Sequence, residues 1–414
     1  YIMASTVLSR TLVTGNRQIF TYSAWIKRTA LGEGFLFQGY TSTSSFVHIK
    51  FDGNNKLQVF GKTGGSDQMD LVTSRVFRDV GAFYNVVVAI DTTQATDTNR
   101  VKVYINGVQE TAFSTTSYPS INTNLEINVS GHIGYIGAQY GTQAYYGGLM
   151  SYVAFVDGSQ ELPTAFGETN AATGIWKIKT SPSVTYGNNG FFLKMDTTSP
   201  GSDTSGNNNT FTASGTPTLA QDNASNNLVT MNPLCNVAGR WTITNGNNTI
   251  QHANGGAWTA MISSIASSVG KYYMETKITA GASRAMFGVM SADTNIMGYE
   301  TNLTTICLYY NLSGGEFQQS GGTTSGNNYG TFADNDIAGI ALDCTNNKIS
   351  IYKNGTALVT DHTIPTTVTG PIGFGFTSDS NSTIYQCNYG NGFFGTTAVA
   401  SSNADAAGHG LFEY

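Results

Sequence analysis

Charge is what this sequence has least of. Lys, Arg, Asp and Glu make up 11% of its 414 residues, where ordinary soluble proteins carry about 25%. Long amphipathic helices need those side chains on their wet faces, so helical bundles and coiled coils are excluded. Gly, Ser, Thr and Asn take the place of charge, with 48 glycines alone, and short strands joined by turns are the architecture that uses them. The 20 basic and 26 acidic residues give a net charge of −6 with no basic run, which excludes nucleic-acid binding through a basic patch. No stretch of about 18 uninterrupted apolar residues occurs, so no membrane insertion by a helix is expected. The opening YIMASTVLSRTLVTGNRQIF has no charged segment followed by an apolar one, so the chain reads as soluble, although the initial Tyr1 suggests a start further upstream.

Cysteine is nearly missing as well. Cys235, Cys307, Cys344 and Cys387 lie 72, 37 and 43 residues apart, which fits neither a zinc pair nor a disulfide scaffold, and they read as buried thiols. Catalytic constellations are absent too. His48, His132, His252, His362 and His409 are scattered, none beside a Gly-x-Ser-x-Gly elbow and none in His-Glu-x-x-His spacing. Each reads as a surface or strand residue.

What is present is period-two alternation. FTYSAWIK at 20–27 alternates apolar with small polar residues, the pattern of a half-buried strand. GFLFQG, FVHIKF, KLQVF, YNVVVAID, RVKVYING, HIGYIG and LMSYVAFVDG come after it, spaced by turn residues as in an antiparallel sandwich. Asn106-Gly107 supplies the positive φ angles of a two-residue type I′ hairpin, with Val101, Val103 and Ile105 on one face. The device recurs in KISIYKNGTAL, where Ile349 and Ile351 precede Asn354-Gly355. Each hairpin comes after a buried strand ending in Asp, at Asp91 and Asp343; this reads as convergence on hairpin rules.

These patterns divide the chain. Residues 1–168 form one sandwich and 235–397 another, both antiparallel and all-β. Between them, 169–234 is a Gly/Ser/Thr/Asn-rich connector, in which Trp176, Tyr186, Phe191 and Phe192 suggest extra strands. Residues 398–414 show no period and read as a tail or the lead into a further element.

TYSAWIKR, LVTSRVFRD, FYNVVVAIDTT, RVKVYINGVQ, HIGYIGA and YYGGLMSYVAFVDG together resemble the LamG-like, concanavalin A-like lectin/glucanase jelly rolls of phage and other viral proteins, over roughly residues 1–168. SSVGKYYMETKI, MFGVMSA, IAGIALDCTNNKISIYKNG, GPIGFGF and NYGNGFF resemble a SPRY domain, over roughly 235–397. The succession of the two resembles structural or tail-fibre proteins of marine phages. That resemblance implies a virion-surface, extracellular location, other virion proteins as partners, and a homo-oligomer, plausibly a trimer.

The concanavalin A-like fold also includes glycoside hydrolases, whose acids sit on one strand as Glu-x-Asp-x-Glu, alternate side chains facing one groove. No such triplet exists here. Glu33, Glu110, Glu126, Glu161 and Glu168 stand alone, and Glu275 lies in a SPRY-like strand where an acid reads as structural. LamG-like modules sometimes hold calcium, which would fall here on Asp67, Asp70, Asp91 or Asp97; the residues themselves read as solvated turn carboxylates, and no cofactor is expected.

The loops carry the binding chemistry. Tyr40, Tyr140, Tyr145 and Tyr146 sit among Gly, Thr, Ser and Gln, and sugar rings stack on aromatic faces while short polar groups bond their hydroxyls. The competing reading places Tyr145 and Tyr146 at the start of the strand YYGGLMSYVAF, packed on the sheet. In the second sandwich Tyr299, Tyr309, Tyr310 and Tyr329 are the candidates for partner-facing loops, against loops that merely tolerate length. The expectation is a non-catalytic virion-surface protein that attaches to host surface polysaccharide. The alternative is a purely structural virion protein, a head decoration or appendage shaft contacting other subunits. A secreted lectin-like adhesin and a depolymerase stand behind these.

Overall fold

A computed structural model describes residues 6–292 and 307–414, apart from 197, 198, 218, 220, 221, 237, 238, 254, 320–322, 325, 326, 402, 406, 407 and 409. Strands dominate, and the described helices are single 3-10 turns. The chain divides into two compact units, Tyr1–Leu219 with Asn223–Asn227, and Ala220–Asp222 with Leu228–Tyr414.

The first unit contains β1 (Val7–Thr11), β2 (Ile19–Arg28), β3 (Gly34–Ser42), β4 (Ser45–Phe51), β5 (Lys56–Thr63), β6 (Ser66–Val76), β7 (Tyr84–Asp91), β8 (Val101–Ile105), β9 (Val108–Gln109), β10 (Phe113–Ser117), β11 (Ile133–Ile136), β12 (Gly148–Asp157), β13 (Gly167–Thr169), β14 (Trp176–Ile178), β15 (Phe191–Leu193) and β16 (Thr212–Ser214). An eight-stranded sheet runs β10-β6-β5-β4-β3-β11-β1-β16 and a six-stranded sheet β15-β12-β2-β7-β8-β9; β13 and β14 form a separate ribbon. Alternation sends Phe20, Tyr22, Ala24 and Ile26 of β2 into the core shared with Phe37, Ile49, Val59 and Leu71. Each large side chain buried there contributes roughly 1.5–3 kcal/mol.

The pattern in β2 implies one wet face, and here the structure differs. Thr21, Ser23, Trp25 and Lys27 are buried too. A second, smaller apolar layer of Val87, Ala89, Tyr104, Ala154, Val156, Phe166 and Phe192 lies on that side of the sheet, so residues beyond Gly158 cover the face that alternation assigned to solvent.

The connector therefore belongs largely to the first sandwich. β15 pairs with β12 and β16 with β1, and Phe191 stacks on Phe155 and meets Phe211 edge-on, at 5.8 and 4.7 Å between centroids. Its polar residues are internal caps. Asp203 accepts the N–H groups of Phe192, Ser205 and Asn209 at 2.9, 2.9 and 2.7 Å. Asp157, 8% exposed, accepts those of Asn16 and Asn189 and the Asn128 amide. A composition that suggests a linker is here the hydrogen-bonding of turns.

The second unit contains β17 (Trp241–Thr244), β18 (Thr249–His252), β19 (Thr259–Ile262), β20 (Lys271–Ala280), β21 (Ala285–Ser291), β22 (Cys307–Asn311), β23 (Glu316–Gln319), β24 (Thr323–Thr324), β25 (Ile337–Asp343), β26 (Lys348–Lys353), β27 (Thr356–Thr363), β28 (Ile372–Ser378), β29 (Ile384–Asn388), β30 (Phe393–Phe394) and β31 (Thr397–Ala398). Its sheets run β17-β18-β29-β20-β25-β26-β27 and β19-β28-β21-β22-β23-β24, with Met274, Ile278, Phe287, Ile340, Ile349, Ile351 and Phe376 in the core between them. The described residues of 398–414 are not a loose tail. Leu411 donates to the Gly390 carbonyl at 2.9 Å and Phe412 packs edge-on against Tyr273 at 5.1 Å.

Both Asn-Gly hairpins form as their sequence dictates, with φ of 50° and 80° at Asn106 and Gly107 and of 47° and 78° at Asn354 and Gly355. In each, the Asn side chain also binds the partner strand. Asn106 Oδ1 accepts the Asn85 N–H at 2.7 Å, and Asn354 Oδ1 accepts the Ile337 N–H at 2.8 Å. The bond returns through Asn106 N–H to Asn85 O and Asn354 N–H to Ile337 O. The two units thus repeat one clasp at equivalent register.

Candidate functional site

The outer face of the eight-stranded sheet holds the most distinctive chemistry in the first sandwich. Strand register sets Tyr135 of β11 opposite Gln38 of β3, Gln38 opposite His48 of β4, His48 opposite Phe60 of β5, and Phe60 opposite Asp70 of β6. One residue pair along, Ile133, Tyr40, Phe46 and Lys62 form a parallel row. Both rows lie away from the core, because residues two apart on a strand share a face.

At one end of these rows three tyrosines meet. Tyr40 and Tyr140 have centroids 4.6 Å apart at 44°, and Tyr40 and Tyr135 lie 6.3 Å apart. Tyr140 stands at the tip of a loop closed by reciprocal bonds between Gln139 and Gln143, at 2.7 and 2.9 Å. Its φ is 52°, and the next residue is Gly141, where a Cβ would fall 2.8 Å from the Tyr135 ring. The Tyr140 N–H donates to Gln38 Oε1 at 2.9 Å. Gln38 is wholly buried, and its Nε2 has no protein acceptor.

His48 lies further along the same face, its ring stacked with Phe46 and with Phe60 at 5.3 Å each and edge-on to Phe35 at 5.0 Å. Neither ring nitrogen has a partner of hydrogen-bonding geometry. Burial pushes the imidazole pKa down to about 3, and the Lys50 charge adds to this; the neighbouring Gln58 amide opposes both. Gln58 itself donates to Asp70 at 2.8 Å. The cations at the borders are already engaged, Lys50 with Glu33 at 2.6 Å and Lys62 with Asp67 at 3.2 Å. The result is a face of aromatic rings and amide, with its bordering cations paired. Such a surface offers ring stacking and neutral hydrogen bonds, the two interactions a sugar uses.

Of the tyrosines expected at the first rim, Tyr40 and Tyr140 come together, and Tyr145 is half-buried nearby in sequence. Tyr146 does not join them. It is 1% exposed and sits in the core between the sheets, and burial raises its pKa. It is also not strand, since β12 begins at Gly148. In the second sandwich Tyr309 and Tyr310 are buried strand residues, not loop residues. Tyr310 stacks on Phe287 at 5.9 Å and donates to the Gly330 carbonyl at 2.6 Å, while Tyr309 packs with Cys307 and Met290. Neither can face a partner. Tyr329 is half-buried beside Phe317 and His362, which stack at 4.0 Å. Tyr299 lies outside the described residues. Tyr135, Gln38, Phe46 and Phe60 were not singled out in the sequence, and His48 was read there only as a surface or strand residue; their signal was alternation, which marks the non-core face without saying that it is half-covered.

The acids are placed one by one. Glu33, Glu110, Glu126 and Glu168 pair with Lys50, Arg75, Arg17 and Lys177, and Glu161 accepts from the Ser159 hydroxyl. Asp91 accepts from Thr93 and Gln94, and Asp97 from the Thr98 N–H. With Asp67 and Asp70 engaged as above, these four carboxylates do not build a calcium cage, and among the described residues no three metal-ligating side chains cluster.

Residues 4–161 match the family described as the concanavalin A-like lectin/glucanases superfamily, of laminin G type. No curated protein matches the chain. Among solved structures, the SPRY domain of human HERC1 is similar at 15% identity, over 36% of this chain and 91% of that one, with a TM-score of 0.31. A Bacteroides ovatus protein carrying a provisional carbohydrate-binding description is similar at 16% identity, over 52% and 57%, with a TM-score of 0.36. A heptameric SAP-like pentraxin from Limulus polyphemus is similar at 16% identity, over 36% and 68%, with a TM-score of 0.28.

Proposed function

We propose that this protein binds glycans without chemical conversion, through the outer face of the eight-stranded sheet in its first sandwich. The observation that carries this reading is the cluster of Tyr40, Tyr135 and Tyr140, three half-buried rings that meet at one end of that face. A pyranose ring stacks on the tyrosines, and its hydroxyls take up phenol hydrogen bonds. The lectin/glucanase family match over residues 4–161 supports the same ligand class. The lack of catalysis is supported by the acids, since the glutamates named above in the first sandwich are each held by a separate partner.

We further propose that the site acts in attachment to a host surface polysaccharide, with the protein displayed on a virion surface beside other virion proteins as a homo-oligomer. The support for this part is the order of modules, which resembles phage tail-fibre proteins; copies in parallel turn weak single sites into firm attachment.

Two measurements test these statements separately. Full-length protein on a glycan array, read against Tyr140→Ala, addresses binding: sugar retention lost in the variant is expected, and equal retention by both overturns the site. Immunogold labelling of native particles addresses location. Label on distal appendages is expected, and label confined to cells, or spread evenly along a head or shaft, overturns the attachment role.

A further inference from the structure

Glu275 is a buried glutamate that the glycan reading leaves without work. It lies mid-strand in β20 and is wholly buried. With Met274, Thr276 and Ile278 turned to the interior, alternation puts Glu275 and Tyr273 on the outer face of the seven-stranded sheet. Its register partners are Gly339 and Asn388, and at Gly339 a Cβ would fall 2.6 Å from the Tyr273 hydroxyl, so the glycine keeps the face open. Leu411–Tyr414 covers it. Glu413 N–H donates to Glu275 Oε2 at 2.8 Å and Tyr414 N–H to Oε1 at 2.9 Å. Tyr273 and the Asn388 amide donate to the same carboxylate at 3.3 Å each.

The rest of that backbone is also read. Leu411 donates to Gly390 O at 2.9 Å, and its carbonyl accepts from Asn388 Nδ2 at 2.9 Å. Phe412 exchanges both bonds with Asn403, at 2.8 and 3.3 Å, and the Glu413 carbonyl accepts from Asn403 Nδ2 at 3.1 Å. Phe412 is the buried side chain of the segment: 6% exposed, it lies between Tyr273 and the close-packed Gly390 and Gly410. A sheet face carrying a buried carboxylate aimed at two consecutive amides, an amide aimed at a carbonyl and a slot for one ring has the features of peptide recognition.

We propose that the outer face of the seven-stranded sheet, around Glu275, Asn388, Tyr273 and Gly390, is a peptide-binding site that the chain fills with its own residues 411–414. Its ligand is an extended peptide with an aromatic side chain at the place of Phe412. Backbone bonds make the remaining positions tolerant of sequence. This site lies on the second unit and is independent of the glycan reading.

The test uses the full chain with a protease recognition sequence inserted between Ala404 and Gly408, and a fluorescent peptide of residues 399–414 followed by anisotropy. After cleavage the peptide is expected to bind, with uncut chain at least about tenfold weaker because its own segment competes. Phe412→Ala in the peptide, and separately Glu275→Gln in the chain, should each weaken binding by about tenfold or more. Because Glu275→Gln can fail by misfolding, the peptide variant decides. The proposal is overturned if cut chain that keeps its circular dichroism takes up no peptide, if the Phe412→Ala peptide binds equally, or if cleavage unfolds the second unit, which makes the segment plain structure.

Discussion

Trp176 rests on Gly107: a Cβ at that glycine would fall 2.6 Å from indole Cε3, while the indole N–H donates to Asn85 Oδ1 at 3.1 Å. Gly107 therefore serves twice, as the positive-φ residue of a hairpin and as the floor beneath a ring. Gly355, its counterpart in the second sandwich, lies under Tyr414, with a Cβ falling 2.7 Å from Cδ1. Gly107→Ala is expected to cost the first sandwich roughly 2–4 kcal/mol, left-handed strain and overpacking together. Gly355→Ala should cost less, about 1–2 kcal/mol, because the Tyr414 ring is 47% exposed and can swing away. Urea denaturation of the two variants checks both numbers, and pairing Gly107→Ala with Trp176→Ala should recover part of the loss.

For sugar binding, Tyr140→Ala and Tyr40→Ala are each expected to lower affinity about tenfold, the value of one ring contact, with little change in stability at these half-exposed positions. Tyr146→Ala should behave in the opposite way, costing about 3–5 kcal/mol of stability as a fully buried ring and unfolding the site rather than tuning it. Isothermal titration beside thermal melts separates the two outcomes.

His48 gives a pH dependence with a definite sign. Its folded pKa is held down to about 3 by burial, whereas an unfolded histidine takes up a proton near 6.5. Its contribution to stability is therefore complete above about pH 6.5 and is lost as pH falls toward 3, at a slope of at most roughly 1.4 kcal/mol per pH unit. His48→Phe, which keeps a ring between Phe46 and Phe60, should flatten the stability profile between about pH 4 and 6. An unchanged slope in that variant would show that other groups set the acid limit.

Phe191→Ala tests where the connector belongs. The ring is 1% exposed against Phe155 and Phe211, so its removal should destabilise the first sandwich by about 3–5 kcal/mol. Hydrogen exchange within residues 6–219 reads the effect directly. A loss near zero would mean that β15 is dispensable.

Fold class and both hairpins were legible because they rest on local rules: alternation in VKVYI and KISIYK, and the φ angles that Asn-Gly supplies. The strands Ile19–Arg28 and Tyr84–Asp91 fall where their pattern places them. Less visible was the layer that covers them. Thr21 and Ser23 read as wet until Phe166 and Phe192 arrive from far along the chain. Burial of Tyr146, Tyr309 and Tyr310 is likewise a tertiary fact, since a tyrosine close to glycine and polar turn residues reads as a loop aromatic whether its ring points in or out. Of the proposed rim, Tyr40 and Tyr140 were legible from their polar neighbours. Tyr135, Gln38 and His48 were not, because their meeting depends on the register of three strands whose pairing no local rule states.

The pairing of β16 with β1 has a practical corollary. Val7 faces Ser214 and Ser9 faces Thr212, so the first and last strands of this sandwich run side by side, about 5 Å apart. A body with adjoining ends can be spliced into a surface turn of an unrelated scaffold without prying that turn open, or closed on itself by a short link and reopened elsewhere. The first sandwich is in this sense a portable cassette.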